Sequence, residues 1–89
     1  MIRRDVIYIG RVQGVGFRWT TNHIAKGFDV AGTVENLSDG SVYMVVEGRE
    51  NEVDAFMNAI SERMASNLRD TKIQQGFALG HFDEFHVNY

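Results

Sequence analysis

The 89-residue sequence contains neither cysteine nor proline. Without cysteine the chain has no disulfide framework, no thiol nucleophile and no cysteine-ligated zinc site. No apolar run approaches the roughly 18 residues that a transmembrane helix needs. The short apolar stretch after the first few residues has no small-residue cleavage site behind it, as a signal peptide would. We therefore expect a cytoplasmic protein that does not bind membranes.

Basic charge is concentrated at one end of an otherwise acidic chain. The sequence has nine Lys and Arg against twelve Asp and Glu, a formal net charge of −3. Residues 1–28 carry five basic groups and one acid, whereas residues 29–89 carry four basic groups and eleven acids. This imbalance predicts that an anion binds the N-terminal third. Nucleic acid is disfavoured, because no RNA-binding consensus run is present and no basic cluster continues beyond Arg4, which with Arg3 is expected to lie at a frayed terminus.

Hydrophobic patterning predicts one domain over residues 1–89. Segments rich in β-branched and aromatic residues predict strands at 6–9, 31–37, 41–47, 73–79 and 85–89. A first helix is expected from Phe17 to about Gly27, and a second from Asn51, a good N-cap. The second helix carries one apolar stripe at helical spacing, made of Val53, Phe56, Met57, Ile60 and Met64. Asp-Gly at 39–40 predicts a hairpin turn, and the strand after it has two apolar faces and should be central. Two helices on one face of a mainly antiparallel sheet make an α+β, ferredoxin-like sandwich, β-α-β-β-α-β.

A glycine-rich loop lies between the first strand and the first helix. Its spacing fits neither the Walker A loop nor the dinucleotide-binding fingerprint. It nevertheless offers free backbone N–H groups beside the positive end of a helix dipole. Arg18 stands where the loop becomes helix, so its guanidinium can join the same concavity. These features predict a site for a compact dianion such as a phosphoryl group; the alternative is a tight turn with Arg18 in solvent.

Asn36 is the second polar feature, because asparagine is disfavoured in the apolar strand where it lies. Its amide could position a water molecule or a substrate oxygen, or it could cap the neighbouring hairpin turn. No sequence pattern indicates a metal site or a nucleophilic hydrolase. The three histidines have no metal-ligand spacing, and no nucleophile elbow is present. We therefore expect no metal site.

The two segments together resemble the acylphosphatase family. The first reads Gly10-Arg-Val-Gln-Gly-Val-Gly-Phe-Arg18, with Ala25 after six further residues, and is similar to the signature Gly-x-Val-Gln-Gly-Val-x-Phe-Arg-x6-Ala. The second reads Gly32-Thr-Val-Glu-Asn-Leu-Ser-Asp-Gly-Ser-Val42 and is similar to Gly-x-Val-x-Asn-x-x-Asp-Gly-x-Val. The resemblance is close over residues 6–60 and looser towards the C-terminus.

The resemblance implies an enzyme that hydrolyses small acyl phosphates to carboxylate and inorganic phosphate, with no metal or cofactor. It implies that Arg18 binds the phosphate and that Asn36 orients the attacking water. The main-chain amides implied to form the phosphate cradle are those of Gln13, Gly14, Val15, Gly16, Phe17 and Arg18. A monomer is expected, and Glu35 would weaken phosphate binding if it pointed into the site. The alternative is a non-catalytic anion-binding or regulatory module of the same fold.

Overall fold

The computed structural model describes residues 1–89 as a sheet of five strands with two helices. In chain order the elements are β1 (Ile2–Gly10), α1 (Phe17–Ala25), β2 (Val30–Asn36), β3 (Val42–Gly48), α2 (Glu50–Arg63), β4 (Leu68–Phe77) and β5 (Phe85–Val87). The strand order across the sheet is β4-β1-β3-β2-β5. All pairings are antiparallel except that of β2 with β5. The predicted ferredoxin-like α+β fold is confirmed.

The central position predicted for β3 is also confirmed, and its residues show why. Val42, Met44 and Val46 are fully buried on the face that the helices cover. Val45 and Glu47, which alternate with them, are buried as well. A strand with two buried faces needs a neighbour on each side, and β3 pairs with β1 and β2 along its whole length.

The core lies between the sheet and the two helices. The predicted apolar stripe of α2 is buried there, with Val53, Phe56 and Ile60 at 0% exposure. From α1 the side chains of Phe17, Thr21 and Ala25 face the same core. Phe17 is the first residue of α1, so core packing fixes the point at which the glycine-rich loop becomes helix.

Several boundaries differ from the expectations. Helix α2 begins at Glu50 after the N-cap Arg49, so Asn51 lies inside the helix and is not its cap. Strand β4 is longer than the segment expected at 73–79, because it pairs with the whole of β1 from Leu68 to Phe77. Strand β5 covers only 85–87, and its short pairing with β2 is parallel. No helix in the structure is long and apolar enough to cross a membrane.

The expectation of a frayed arginine pair at the N-terminus is wrong. Both arginines lie within β1, which is paired from Ile2 onwards. Arg4 binds α2 through an ion pair of 2.6 Å between its Nη1 and Asp54 Oδ1. On the opposite face of the sheet, Arg3 Nε lies 2.8 Å from Asp5 Oδ1. Their charges are therefore neutralised by partners from the acidic part of the chain and from β1 itself.

Asp5 is the centre of a small polar network on this outer face. Besides the bond from Arg3, its carboxylate accepts a hydrogen bond of 2.6 Å from the Tyr43 hydroxyl. The bond from Arg3 is the main reason that the pKa of Asp5 is lowered. Burial, followed by the bond to Asp5, raises the pKa of Tyr43. A carboxyl group with a lower pKa in the folded chain stabilises the fold above its unfolded pKa of about 4, and this stabilisation is lost as the pH falls through the folded value.

The substitution Asp5→Asn is expected to lower the free energy of unfolding at pH 7 by about 1 kcal/mol, a modest value because the network is partly open to solvent. The deficit should shrink as the pH falls below about 4, because the unfolded wild-type chain then binds a proton that the folded carboxylate takes up only at lower pH. Urea unfolding at pH 7 and pH 3 measures both effects. The control is Asp83→Asn, which removes a charge from an exposed residue. An equal deficit at the two pH values would show that the charge on Asp5 does not stabilise the fold.

Candidate active site

The loop from residue 11 to residue 16 connects β1 to α1 and has the backbone of an anion-binding nest. Gly14 and Gly16 are left-handed, with φ of 75° and 78°, while Val15 between them is not. A Cβ on either glycine would meet no atom within 4 Å, so the backbone conformation rather than lack of space calls for glycine. Successive N–H groups in such alternating conformations form a concavity that binds anions.

The N–H groups of residues 13–18 are available to a ligand. None of them donates a hydrogen bond within the protein, and the first bond of α1 runs from Thr20 N–H to Gly16 O at 2.9 Å. The N-cap Gly16 provides no side-chain acceptor, and the first turn of α1 has no acidic residue. Nothing in the chain therefore neutralises the positive end of this helix.

Arg18 is the second residue of α1 and lies beside these amides. It is half-buried and forms no ion pair with any carboxylate, in contrast to Arg3 and Arg4. Its Cζ lies 5.0 Å from the centre of the Tyr89 ring. A guanidinium without a carboxylate partner keeps its N–H fork free for a phosphoryl group.

Asn36 reaches the same place from the end of β2. Side chains alternate along the strand, so Asn36 lies on the helix face with Val34, and Glu35 lies on the opposite face, where it accepts a hydrogen bond from Asn88. Glu35 therefore does not point into the site. Asn36 Oδ1 is buried with no hydrogen-bond partner in the protein. A buried oxygen without a partner is costly, which indicates that a ligand or water satisfies it.

The interpretation of Asn36 as the cap of the hairpin turn is wrong. The turn is held instead by Gln13, whose Nε2 donates to Leu37 O at 2.7 Å and to Ser41 O at 2.8 Å. Asp39 also accepts hydrogen bonds from the hydroxyl and the N–H of Ser41, and these bonds lower its pKa. The Gln13 side chain thus ties the glycine-rich loop to the strand end that carries Asn36.

A cavity of about 150 Å³ brings these groups together. Its lining comprises Val12, Gly14, Gly16, Phe17, Arg18, Trp19, Asn36 and Tyr89. Sites for drug-sized ligands are commonly about 300–1,000 Å³, so this cavity suits a small group. Of the predicted residues, Gln13 and Val15 do not line it; Gln13 faces the hairpin and Val15 is exposed.

Three lining residues were missed by the sequence prediction, namely Val12, Trp19 and Tyr89. Trp19 follows Arg18 and could have been suspected from that position in the first turn of α1. Tyr89 was assigned to a half-buried strand, but β5 ends at Val87 and Tyr89 is 95% exposed. No sequence pattern predicts that its ring lies over Arg18, because the two residues are far apart in the chain and only the fold brings them together.

The fold and the loop define a class: a ferredoxin-like α+β protein with an anion-binding nest at the start of its first helix. The chain belongs to the acylphosphatase family, whose model matches residues 4–87. It is 39% identical to an acylphosphatase of Geotalea uraniireducens over 89 residues, which cover 99% of this chain and 98% of that relative. An acylphosphatase of Listeria welshimeri is 51% identical over 60 residues, covering 67% and 64% of the two chains.

Solved structures agree with this assignment. The crystal structure of acylphosphatase from Bacillus subtilis matches with a TM-score of 0.89 and 31% identity, and the match covers 100% of both chains. The acylphosphatase structure from Coxiella burnetii, at 23% identity and a TM-score of 0.81, supports the fold. The predicted family and class of enzyme, a hydrolase that acts on acyl phosphates, are confirmed.

Proposed function

We propose that this chain hydrolyses small acyl phosphates by direct attack of water, with no metal or cofactor. Arg18 and the main-chain amides of residues 13–18 hold the phosphoryl group, and Asn36 orients the water. The observation that carries the proposal is the buried, unpartnered Oδ1 of Asn36 on the same small cavity as an unpaired arginine. An acceptor for water thus lies beside donors for an anion.

The phosphoryl group is bound by charge and by hydrogen bonds that already point to one place. The amides of residues 13–18 have no protein acceptor, and four of these residues, Gly14, Gly16, Phe17 and Arg18, line the cavity together with a guanidinium that has no carboxylate partner. They match a group that has three oxygens and two negative charges. Because these donors are fixed before the substrate arrives, they stabilise charge on the phosphoryl oxygens during the reaction without first reorganising.

The chemical step breaks the bond between phosphorus and the bridging oxygen. Asn36 Oδ1 accepts a hydrogen bond from the water, whose oxygen then forms the new bond to phosphorus. The electron pair of the broken bond leaves with the carboxylate, and the proton of the water passes to a phosphoryl oxygen. A carboxylate is a weak base, so the leaving group needs no general acid. The products are the carboxylate and inorganic phosphate.

This proton route predicts a flat pH profile. No Asp, Glu or His lines the cavity, and the phosphoryl oxygens take the proton. We therefore expect kcat to change less than about twofold between pH 6 and 8, the range in which a histidine base would titrate. Steady-state hydrolysis of benzoyl phosphate in buffers of constant ionic strength measures the profile. A tenfold rise of kcat along a single titration curve would reveal a protein base and contradict the route.

Independence from metal follows from the groups that line the site. Besides the amide oxygen of Asn36, the cavity offers a guanidinium and amide N–H groups, which bind anions and repel cations. We therefore expect the rate of benzoyl phosphate hydrolysis to be the same in EDTA and in excess Mg²⁺ without EDTA. Inorganic phosphate should inhibit competitively. Loss of turnover with EDTA would refute the metal-free mechanism. Competitive phosphate binding without any turnover would instead support the non-catalytic module.

We also propose that residues 1–89 form a single domain that acts as a cytoplasmic monomer, without a nucleic-acid or membrane partner. The net charge of −3 opposes binding to polyanions. Of the five basic groups in the N-terminal third, Arg3 and Arg4 are paired with carboxylates, and Arg18 lines a cavity too small for a polymer. The absence of cysteine suits a reducing compartment.

A further inference from the structure

Two aromatic rings stand exposed at the mouth of the cavity. Trp19 is 64% exposed and Tyr89 is 95% exposed, yet both line the cavity that contains Arg18 and Asn36. We propose that these two residues, the aromatic rim, form a subsite for the acyl group of the substrate and select flat, apolar acyl groups. The inference rests on the proposed function, because it uses the phosphoryl position assigned above.

Trp19 has a stacking partner on the helix surface in spite of its exposure. Its ring stacks on His23 one turn later in α1, with 4.9 Å between the ring centres and an angle of 7° between the planes. This leaves the other side of the indole free. A ring that is already oriented loses little conformational entropy when a ligand packs on it, so it suits a binding surface.

Tyr89 lies over Arg18 in a way that leaves the site open. Arg18 Cζ lies over the face of the Tyr89 ring, 5.0 Å from its centre, which is a cation–π contact. The N–H groups lie in the plane of the guanidinium and remain free to bind phosphoryl oxygens. Tyr89 and the phosphoryl group can therefore contact Arg18 together, so the ring stands beside the proposed phosphoryl position.

The size of the cavity puts the acyl group against the rim. About 150 Å³ holds a phosphoryl group and a water molecule but does not also enclose an aromatic ring. With the phosphoryl group in the nest, the acyl group extends outwards past Trp19 and Tyr89. Among the side chains that line the cavity, Arg18 is the only charged one. The two rim side chains offer aromatic surface and carry no charge themselves, so the rim favours flat apolar acyl groups.

The substitution Trp19→Ala tests the subsite with two substrates that share a phosphoryl group, benzoyl phosphate and acetyl phosphate. We expect kcat/KM for benzoyl phosphate to fall about tenfold, because stacking and apolar burial are lost. The value for acetyl phosphate should stay within about twofold of wild type. Trp19→Phe should recover most of the loss. The control is Phe77→Ala, which removes an exposed aromatic side chain at the far end of β4. Equal losses on both substrates, or none, would overturn the proposal.

Binding of unreactive analogues separates the subsite from catalysis. Inhibition constants for benzylphosphonate and methylphosphonate compare an aromatic with a small group on the same phosphoryl-like anion. Wild type should bind benzylphosphonate about tenfold more tightly, and Trp19→Ala should remove that preference. Trp19 is the only tryptophan, so benzylphosphonate should also change the protein fluorescence. If neither acyl phosphate is hydrolysed, the proposed function fails. Fluorescence titration with the two phosphonates still tests the subsite in that case. Equal affinities for benzylphosphonate and methylphosphonate would overturn the subsite.

Discussion

Replacing Arg18 with alanine is expected to lower kcat/KM for benzoyl phosphate by about 10³-fold or more. Arg18 is the only charged side chain that lines the cavity, and its guanidinium has no carboxylate partner to share. In phosphoryl transfer, an arginine on the transferred group contributes on the order of 10³ to 10⁵ in rate. The loop amides remain in the variant, so some activity should survive. Steady-state kinetics at several phosphate concentrations measure the loss and the change in phosphate affinity.

The Arg18→Ala variant should bind inorganic phosphate more weakly as well as turn over more slowly, because the same guanidinium binds substrate and product. Arg18→Lys should recover little, since a point charge does not reproduce two parallel hydrogen bonds. The matched control is Arg11→Ala, an exposed arginine at the start of the same loop that does not line the cavity. If Arg11→Ala were as damaging as Arg18→Ala, general attraction of the anion rather than Arg18 would explain the effect.

Sequence periodicity predicts an element well where burial repeats along it. The stripe of α2 and the two apolar faces of β3 reflect burial of their side chains, and both predictions are confirmed. Strand β4 has no such pattern of buried side chains. Nearly all of its side chains are exposed, and it forms because the free edge of β1 offers backbone partners along its whole length. Backbone pairing leaves no trace in residue type, so only part of this strand could be predicted.

The residues of the site likewise fall into those that local sequence predicts and those that only the fold brings together. The left-handed glycines and the position of Arg18 are local properties of one loop, and Asn36 is conspicuous within its own strand. The contact of Tyr89 with Arg18 is non-local. The ion pair between Arg4 and Asp54 is non-local as well. It ties β1 to α2, whereas the sequence predicted a frayed terminus at Arg4. Charge counted along a chain predicts that an anion binds, but only the fold shows which arginines already have partners.

Replacing Asn36 with alanine is expected to lower kcat for benzoyl phosphate by about 10²-fold and to leave inhibition by inorganic phosphate nearly unchanged. The variant keeps every donor to the phosphoryl group and loses only the acceptor that orients the water. Loss of one positioned transition-state contact costs on the order of 10² to 10³ in rate. Kinetic assays with phosphate as inhibitor separate this outcome from that of Arg18→Ala, in which rate and phosphate affinity fall together. Asn58→Ala, on the exposed surface of α2, is the matched control.

The stability of the Asn36→Ala variant decides between a functional and a structural role for this side chain. In the folded protein Asn36 Oδ1 is buried and accepts no hydrogen bond from the chain, so its removal gives up no internal bond. We therefore expect the free energy of unfolding to stay at the wild-type value or to rise, while turnover collapses. Urea unfolding of both proteins measures this. A variant that loses stability along with activity would indicate that Asn36 supports the end of β2, and the water would then need another partner.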